Sequence, residues 1–144
     1  MSWLPKTKVL VPVDFSDLSL EAVDEALELV ADPSHLYVVH VLPALTPTEP
    51  GVIWNTVDDA SREEHASQML SERFGGAKYR GMQLHVAFGD PGHEIARFAE
   101  EEGVELIVVP SHGRTGLTRL LIGSTAERVV RLAHCPVLVL RNGG

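Results

Sequence analysis

The chain has 144 residues, 44% of them apolar, and a formal net charge of −8. This is the size of one ordinary domain with one core, expected over residues 1–144, and the apolar runs are far too short to span a membrane. The acidic balance argues against a general nucleic-acid binder, and a single cysteine, Cys135, excludes an internal disulfide framework and agrees with a reducing compartment.

The N-terminal stretch MSWLPKTKVLVPVDF lacks the long apolar segment and small-residue cleavage site of a signal peptide, so a cytoplasmic location is expected. Within it, residues 8–13 (KVLVPV) read as a central strand buried on both faces. Pro12 has no ladder N–H, which places it near that strand's carboxyl end. Asp14-Phe15-Ser16-Asp17 turns into a helix with Ser16 or Asp17 as N-cap, and Ala22, Val23, Ala26, Leu27 and Val30 follow at helical spacing. Asp32-Pro33-Ser34 breaks this helix, and residues 35–42 (HLYVVHVL) predict a second strand. From Pro43 to about Thr56 the prolines and Gly51 predict a loop, in which Ile53 and Trp54 either cover a pocket or lead into the next helix.

That helix is expected over residues 58–74, with Ala66, Met69, Leu70 and Phe74 on one face and Gly75-Gly76 as its stop. Residues 83–88 (QLHVAF) read as a third strand. Asp90 as N-cap with Pro91 at the first helical position starts a helix that ends near Gly103. Residues 104–109 read as the fourth strand, followed by a loop with Gly113 and Gly116. Ser124 and Glu127 have the spacing of a capping box, and Val129, Val130, Leu132 and Ala133 form the expected apolar side of the last helix. Val137–Leu140 is the fifth strand.

Five strands alternating with four helical segments predict an α/β fold with a parallel sheet, right-handed crossovers and helices on both faces. Such sheets bind ligands beyond the carboxyl ends of strands, where strand order reverses. In a flavodoxin-like order, 3-2-1-4-5, Asp14 and the loop from Pro110 to Gly116 converge there. Residues 110–131 hold four arginines against one acid, so the remainder carries −11, a distribution suited to a small anion. Strand, glycine loop, small hydroxyl residues and helix N-terminus, in that order, can build a phosphate site from backbone N–H groups and the helix dipole. Singly, Gly113, Gly116 and Gly123 can equally be plain turn residues. Asp14 is either a helix cap or an acceptor for a sugar hydroxyl, a base amine or a metal. Seven histidines show no zinc-ligand spacing; His40 reads as a satisfied core residue and His112 as a turn residue. Arg128 and Arg131 read as a solvated helix face and Cys135 as a packing thiol. The chain carries no dinucleotide fingerprint, P-loop, catalytic triad pattern or nucleophile elbow, and no catalytic residue is assigned.

KVLVPVDFSDLS, HVLP and above all SHGRTGLTRLLIGSTAERVVRLAHCPVLVLR resemble the universal stress protein family over nearly the whole chain. The resemblance implies a three-layer Rossmann-like domain and a homodimer formed through the last strand, Val137–Leu140. ATP-binding members share the pattern G-x2-G-x9-G-[S/T]. Gly113 and Gly123-Ser124 satisfy its second half, while Pro110 replaces the first glycine, removing an N–H and fixing φ. Carried over by position, Pro12, Asp14 and Val41 would line the adenine and ribose end. Pro110, Ser111, His112, Gly113, Arg114, Thr115 and Gly116 would wrap ribose and phosphates, and Gly123, Ser124, Thr125 and Ala126 would hold phosphates. The implied ligand is ATP, with Mg2+ or Mn2+, in a regulatory stress-response protein that binds rather than turns over nucleotide. The rivals are a dimeric interaction or chaperone-like member that takes no nucleotide, motivated by Pro110, and a slow ATPase.

Overall fold

The computed structural model describes residues 3–44, 59–112 and 122–141. Strands β1 (Val9–Pro12), β2 (Leu36–Leu42), β3 (Gln83–Phe88), β4 (Leu106–Pro110) and β5 (Val137–Leu140) form one sheet in the order β3-β2-β1-β4-β5. Every neighbouring pair is parallel. Helices α1 (Asp17–Leu27), α2 (Asp59–Arg73), α3 (Pro91–Glu102) and α4 (Ser124–Leu132) lie between successive strands. In a parallel sheet each strand leaves at the same edge, so the helices begin there. The expected class and strand order are therefore observed.

Side-chain alternation along the central strands divides the core into two faces. Val9 and Val11 of β1 and Leu106 and Val108 of β4 pack with Ala22, Val23 and Ala26 of α1 and Leu70 of α2. Leu10, Ile107 and Val109 point the other way, onto Ile95 and Ala99 of α3 and Ala126 and Val129 of α4. β1 and β4 are covered on both faces, which is why they read as unbroken apolar runs. Full burial of each such side chain is worth about 1.5–3 kcal/mol.

Some boundaries and faces differ from expectation. On α2, Ala66 and Leu70 are buried, as is Phe74 just beyond its end, but Met69 is 38% exposed. This helix buries a narrow i, i+4 stripe rather than a broad face. The fourth strand starts at Leu106 because the Val104 N–H is taken by the Ala99 carbonyl at 2.9 Å, where Gly103 (φ 68°) ends α3 in the left-handed conformation. It extends one residue further than expected, to include Pro110. His35 belongs to a 3-10 turn, Pro33–His35, capped by Asp32, whose carboxylate accepts the Ser34 N–H at 2.9 Å. On α4 only Ala126 and Val129 enter the core; Val130 and Leu132 are 49% and 46% exposed. Among the described residues, no helix is long and apolar enough to cross a membrane.

Candidate functional site

The sheet opens at its switch point. β1 and β4 pair only at Val9↔Leu106 and Leu10↔Ile107, although both strands continue. On their outer sides pairing runs on, to Pro12↔Val39 and Pro110↔Leu140. The carboxyl ends of the two central strands therefore separate from each other while staying anchored to their other neighbours. A cavity of about 450 Å³ occupies this region, within the size range of small-molecule sites.

The β1 wall is a rigid turn. The Val13 N–H donates to the Val39 carbonyl at 2.9 Å, and His40 Nδ1 donates to the Val13 carbonyl at 2.8 Å. That bond fixes the ring's proton on Nδ1 and satisfies His40, as expected for a core histidine. Phe15 takes φ 65° and meets the His40 ring edge-on at 4.8 Å between centroids. A left-handed Phe costs on the order of 1–3 kcal/mol and persists only where its surroundings hold it. The Ser16 hydroxyl caps α1 by accepting the Ser19 N–H at 3.2 Å. Asp14 Oδ1 accepts the Ser16 N–H at 3.0 Å, and the Asp14 N–H donates to Ser19 Oγ at 3.3 Å. Asp14 thus braces the turn without being the cap, and it is one of the residues that line the cavity.

The opposite wall joins β4 to α4. Ser111 N–H continues the ladder to the Leu140 carbonyl at 2.8 Å, and the Ser111 carbonyl accepts the Gly123 N–H at 2.6 Å. This last bond ties the start of α4 to the end of β4. Ser111 and His112 are buried, with Ser111 Oγ hydrogen-bonded to His112 Nδ1 at 3.2 Å. The expected capping box is not formed. The N-cap is Gly123, which has no side chain to offer, and Ser124 is already inside the helix. Glu127 instead pairs with Arg131 at 2.5 Å, and its N–H meets the Gly123 carbonyl at 3.0 Å. The N–H groups of Ser124, Thr125 and Ala126 precede the first intrahelical bond and lie at the cavity.

α3 closes the third side with Pro91 and Ile95. Its cap, Asp90, accepts the His93 N–H at 3.0 Å and the Arg128 guanidinium at 2.7 Å. The Arg128 bond, then the His93 amide, hold the Asp90 carboxyl below its ordinary pKa. Arg128 is about half exposed, yet it ties α4 to α3 rather than only solvating a helix face. Its stem lies where a Cβ on Gly92 would stand, with Arg128 Cβ only 2.6 Å from that position.

The cavity brings together Pro12, Asp14 and Val41 from one side and Pro110, Ser111, His112, Gly123, Ser124, Thr125 and Ala126 from the other. Gly113, Arg114, Thr115 and Gly116 lie outside the described residues, as do Ile53 and Trp54. Val13, Ser19, Pro91, Ile95 and Val109 also line it and were not anticipated. The missed signal is topological: helices of a parallel sheet start at the ligand edge, so residues one turn into α1 and α3 face the crevice. Burial raises the pKa of Cys135, consistent with a packing thiol. Among the described residues, no cluster of three His, Cys, Asp or Glu could hold a metal ion.

Comparison with known proteins agrees with this architecture. The family model described as the universal stress protein family matches residues 6–141. Universal stress protein MJ0531 of Methanocaldococcus jannaschii is 38% identical over 140 residues, covering 93% of this chain and 81% of the relative. The structure of universal stress protein UspA from Lactobacillus plantarum superposes with a TM-score of 0.75 at 27% identity, covering 94% of this chain and 97% of that one. A universal stress protein crystallised in complex with cAMP shares the fold, with a TM-score of 0.66 at 21% identity, covering 95% of this chain and 98% of its own. With its fold, its crevice and a family match that spans nearly the whole chain, this protein belongs to the universal stress protein family.

Proposed function

We propose that the crevice binds an adenine nucleotide, ATP in the first place, and that the protein acts by holding it rather than by turning it over. The observation that carries this reading is the start of α4: three backbone N–H groups without a side-chain cap, at the rim of a nucleotide-sized cavity. The phosphates would sit on Ser124, Thr125 and Ala126, with Gly113 to Gly116 completing the loop around them. The flat base would lie between the apolar walls formed by Val13, Val41, Ile95 and Val109. Asp14 and the strand ends supply acceptors for the sugar and the base amine. Mg2+ or Mn2+ would arrive on the phosphates, since Asp14 is the one carboxylate among the described lining residues. Phosphoryl transfer needs a positioned base or water-orienting group as well as charge, and His112 Nδ1 is already engaged by Ser111.

The same reading includes a cytoplasmic homodimer. Among the described residues β5 pairs with β4 alone, and Leu138 on it is 38% exposed, while Ile122, Val130 and Leu132, nearby in sequence, are 50%, 49% and 46% exposed. An apolar edge of this kind is a hazard unless a second copy or another element covers it. Leu138→Lys should shift the protein toward monomer in sedimentation equilibrium; unchanged mass for a wild-type dimer would count against this edge as the interface.

Denaturing the purified protein and analysing the released small molecules, together with an ATP titration, tests the nucleotide reading. Saturable one-site binding is expected. No bound nucleotide and no saturation up to millimolar ATP, with and without magnesium, would overturn it.

A further inference from the structure

Val13, the first residue beyond β1, is buried, and consecutive residues of β2 hold both of its main-chain polar groups. Its N–H donates to the Val39 carbonyl at 2.9 Å, and its carbonyl accepts from His40 Nδ1 at 2.8 Å. The first bond is made main chain to main chain. The second comes from a side chain, where the pairing of β1 with β2 has ended at Pro12↔Val39. The N–H of the same peptide unit, that of Asp14, donates to Ser19 Oγ at 3.3 Å. Ser19 is buried in turn, and its hydroxyl donates to the Ser16 carbonyl at 2.9 Å. The peptide joining Val13 to Asp14 is thus gripped at its oxygen from β2 and at its nitrogen from α1.

The residue after Asp14 is strained. Phe15 takes φ 65°, an outlier for a bulky side chain. This torsion lies between Asp14 and Ser16, so relaxing it to an ordinary negative value would part Asp14 Oδ1 from the Ser16 N–H that it accepts at 3.0 Å. Such strain persists only where the surroundings over-determine the conformation. His40 restrains this side as well: its ring meets the Phe15 ring edge-on, 4.8 Å between centroids at 61°. One side chain therefore holds the residues on either side of Asp14.

We infer that His40 is a positioning residue of the crevice: through Val13 and Phe15 it keeps Asp14 in place before any ligand arrives. The use of Asp14 by a nucleotide rests on the reading above; the restraint on the turn does not. A turn already ordered has no ordering left to do on binding, so its release should appear as lost affinity. A residue that only fills space makes different demands. Leucine fills the place of His40 without a donor, whereas asparagine is smaller and keeps an N–H on the side chain. Packing ranks His40→Leu above His40→Asn, and positioning ranks them the other way. At residue 15, glycine adopts the left-handed conformation without strain and alanine does not.

Wild type, His40→Leu, His40→Asn, Phe15→Ala and Phe15→Gly are compared by ring 15N NMR, amide hydrogen exchange and calorimetric titration with ATP and magnesium. Wild-type His40 should carry its proton on Nδ1. In His40→Leu the Asp14 and Ser16 amides should exchange about tenfold faster or more, with Ile107 in β4 still protected, and ATP should bind about tenfold more weakly, the scale of one lost hydrogen bond. His40→Asn should recover most of both losses, and Phe15→Gly should keep more of both than Phe15→Ala. A proton on Nε2, an equal loss of protection at Ile107, or His40→Leu matching His40→Asn would overturn the positioning role. If His40→Leu does not fold, the Phe15 pair decides: alanine equal to or better than glycine would overturn it. Wild type that binds no ATP up to millimolar concentration would overturn the nucleotide reading, while the ring proton and the exchange rates still decide whether His40 holds the turn.

Discussion

Two of the helices whose N-termini reach the crevice, α3 and α4, are finished in opposite ways. α3 starts at Asp90, whose carboxylate takes the His93 N–H and the Arg128 guanidinium. α4 starts at Gly123, which offers nothing, so the amides of Ser124, Thr125 and Ala126 meet the cavity uncapped. Both helices have the same dipole and the same orphan donors. One end is satisfied internally and fastens the two helices together. The other leaves its donors at the cavity, where the proposed nucleotide would use them. Stability and the proposed binding would thus fall on adjacent helix ends, joined by Arg128, which starts on α4 and ends on the cap of α3.

This contrast can be broken most sharply by giving α4 the kind of cap that α3 has. Gly123 has φ −63° and ψ 157°, which any residue can adopt, so Gly123→Asp should fold. The new carboxylate would take the helix amides and repel phosphate. ATP affinity should fall about a hundredfold or more, while thermal unfolding shows stability kept or raised by a few tenths of a kcal/mol. Loss of binding accompanied by a large loss of stability would mean that Gly123 is structural.

Gly92→Ala attacks the seam between the helices. Its Cβ would collide with the Arg128 stem, so denaturant unfolding should show a loss of about 1–3 kcal/mol. An unchanged midpoint would show that Arg128 moves aside freely. Asp90→Ala removes a cap and leaves Arg128 without its partner, and should cost about 1 kcal/mol with ATP affinity changed far less than in Gly123→Asp. Equal effects on binding from both caps would erase the distinction drawn between the two ends.

The smallest effect concerns acid. The folded Asp90 carboxyl titrates below its ordinary value of 3.8, because the Arg128 guanidinium and the His93 amide favour its charged form. A depressed pKa contributes stability that is present above 3.8 and is lost as pH falls through the lower folded value. Asp90→Asn should therefore flatten a small part of the acid limb of the unfolding profile below about pH 4, with little change near neutrality. The effect is small because Asp90 is nearly half exposed.

Much of the fold was legible in the chain because its signals are local and strong. Residues 9–13 and 106–109 are apolar runs that only a strand covered on both sides tolerates, and Asp90-Pro91 marks a helix start that the structure keeps. The alternation of elements then dictates a parallel sheet and the place of its crevice. The capping box failed because spacing alone cannot say which residue leaves helical geometry: Gly123 does, one residue before Ser124. Val130 and Leu132 misled because apolarity alone does not say which side of a helix meets the core. Ser19 and Ile95 carry no motif and reach the cavity only through the way helices start at a sheet edge. Pro110 looked like a defect in a glycine pattern. The structure makes it the last residue of β4 and one of the residues that line the cavity.

The most direct test of the central claim is a backbone amide NMR titration of uniformly labelled protein with ATP and magnesium. The amides of Ser124, Thr125 and Ala126 should shift most, together with Asp14 and Ile95 across the crevice, in one saturating process, and the amide of His93 under its Asp90 cap should move little. Saturating shifts centred elsewhere, or none at millimolar ATP, would contradict the assignment of the uncapped helix end as the phosphate site.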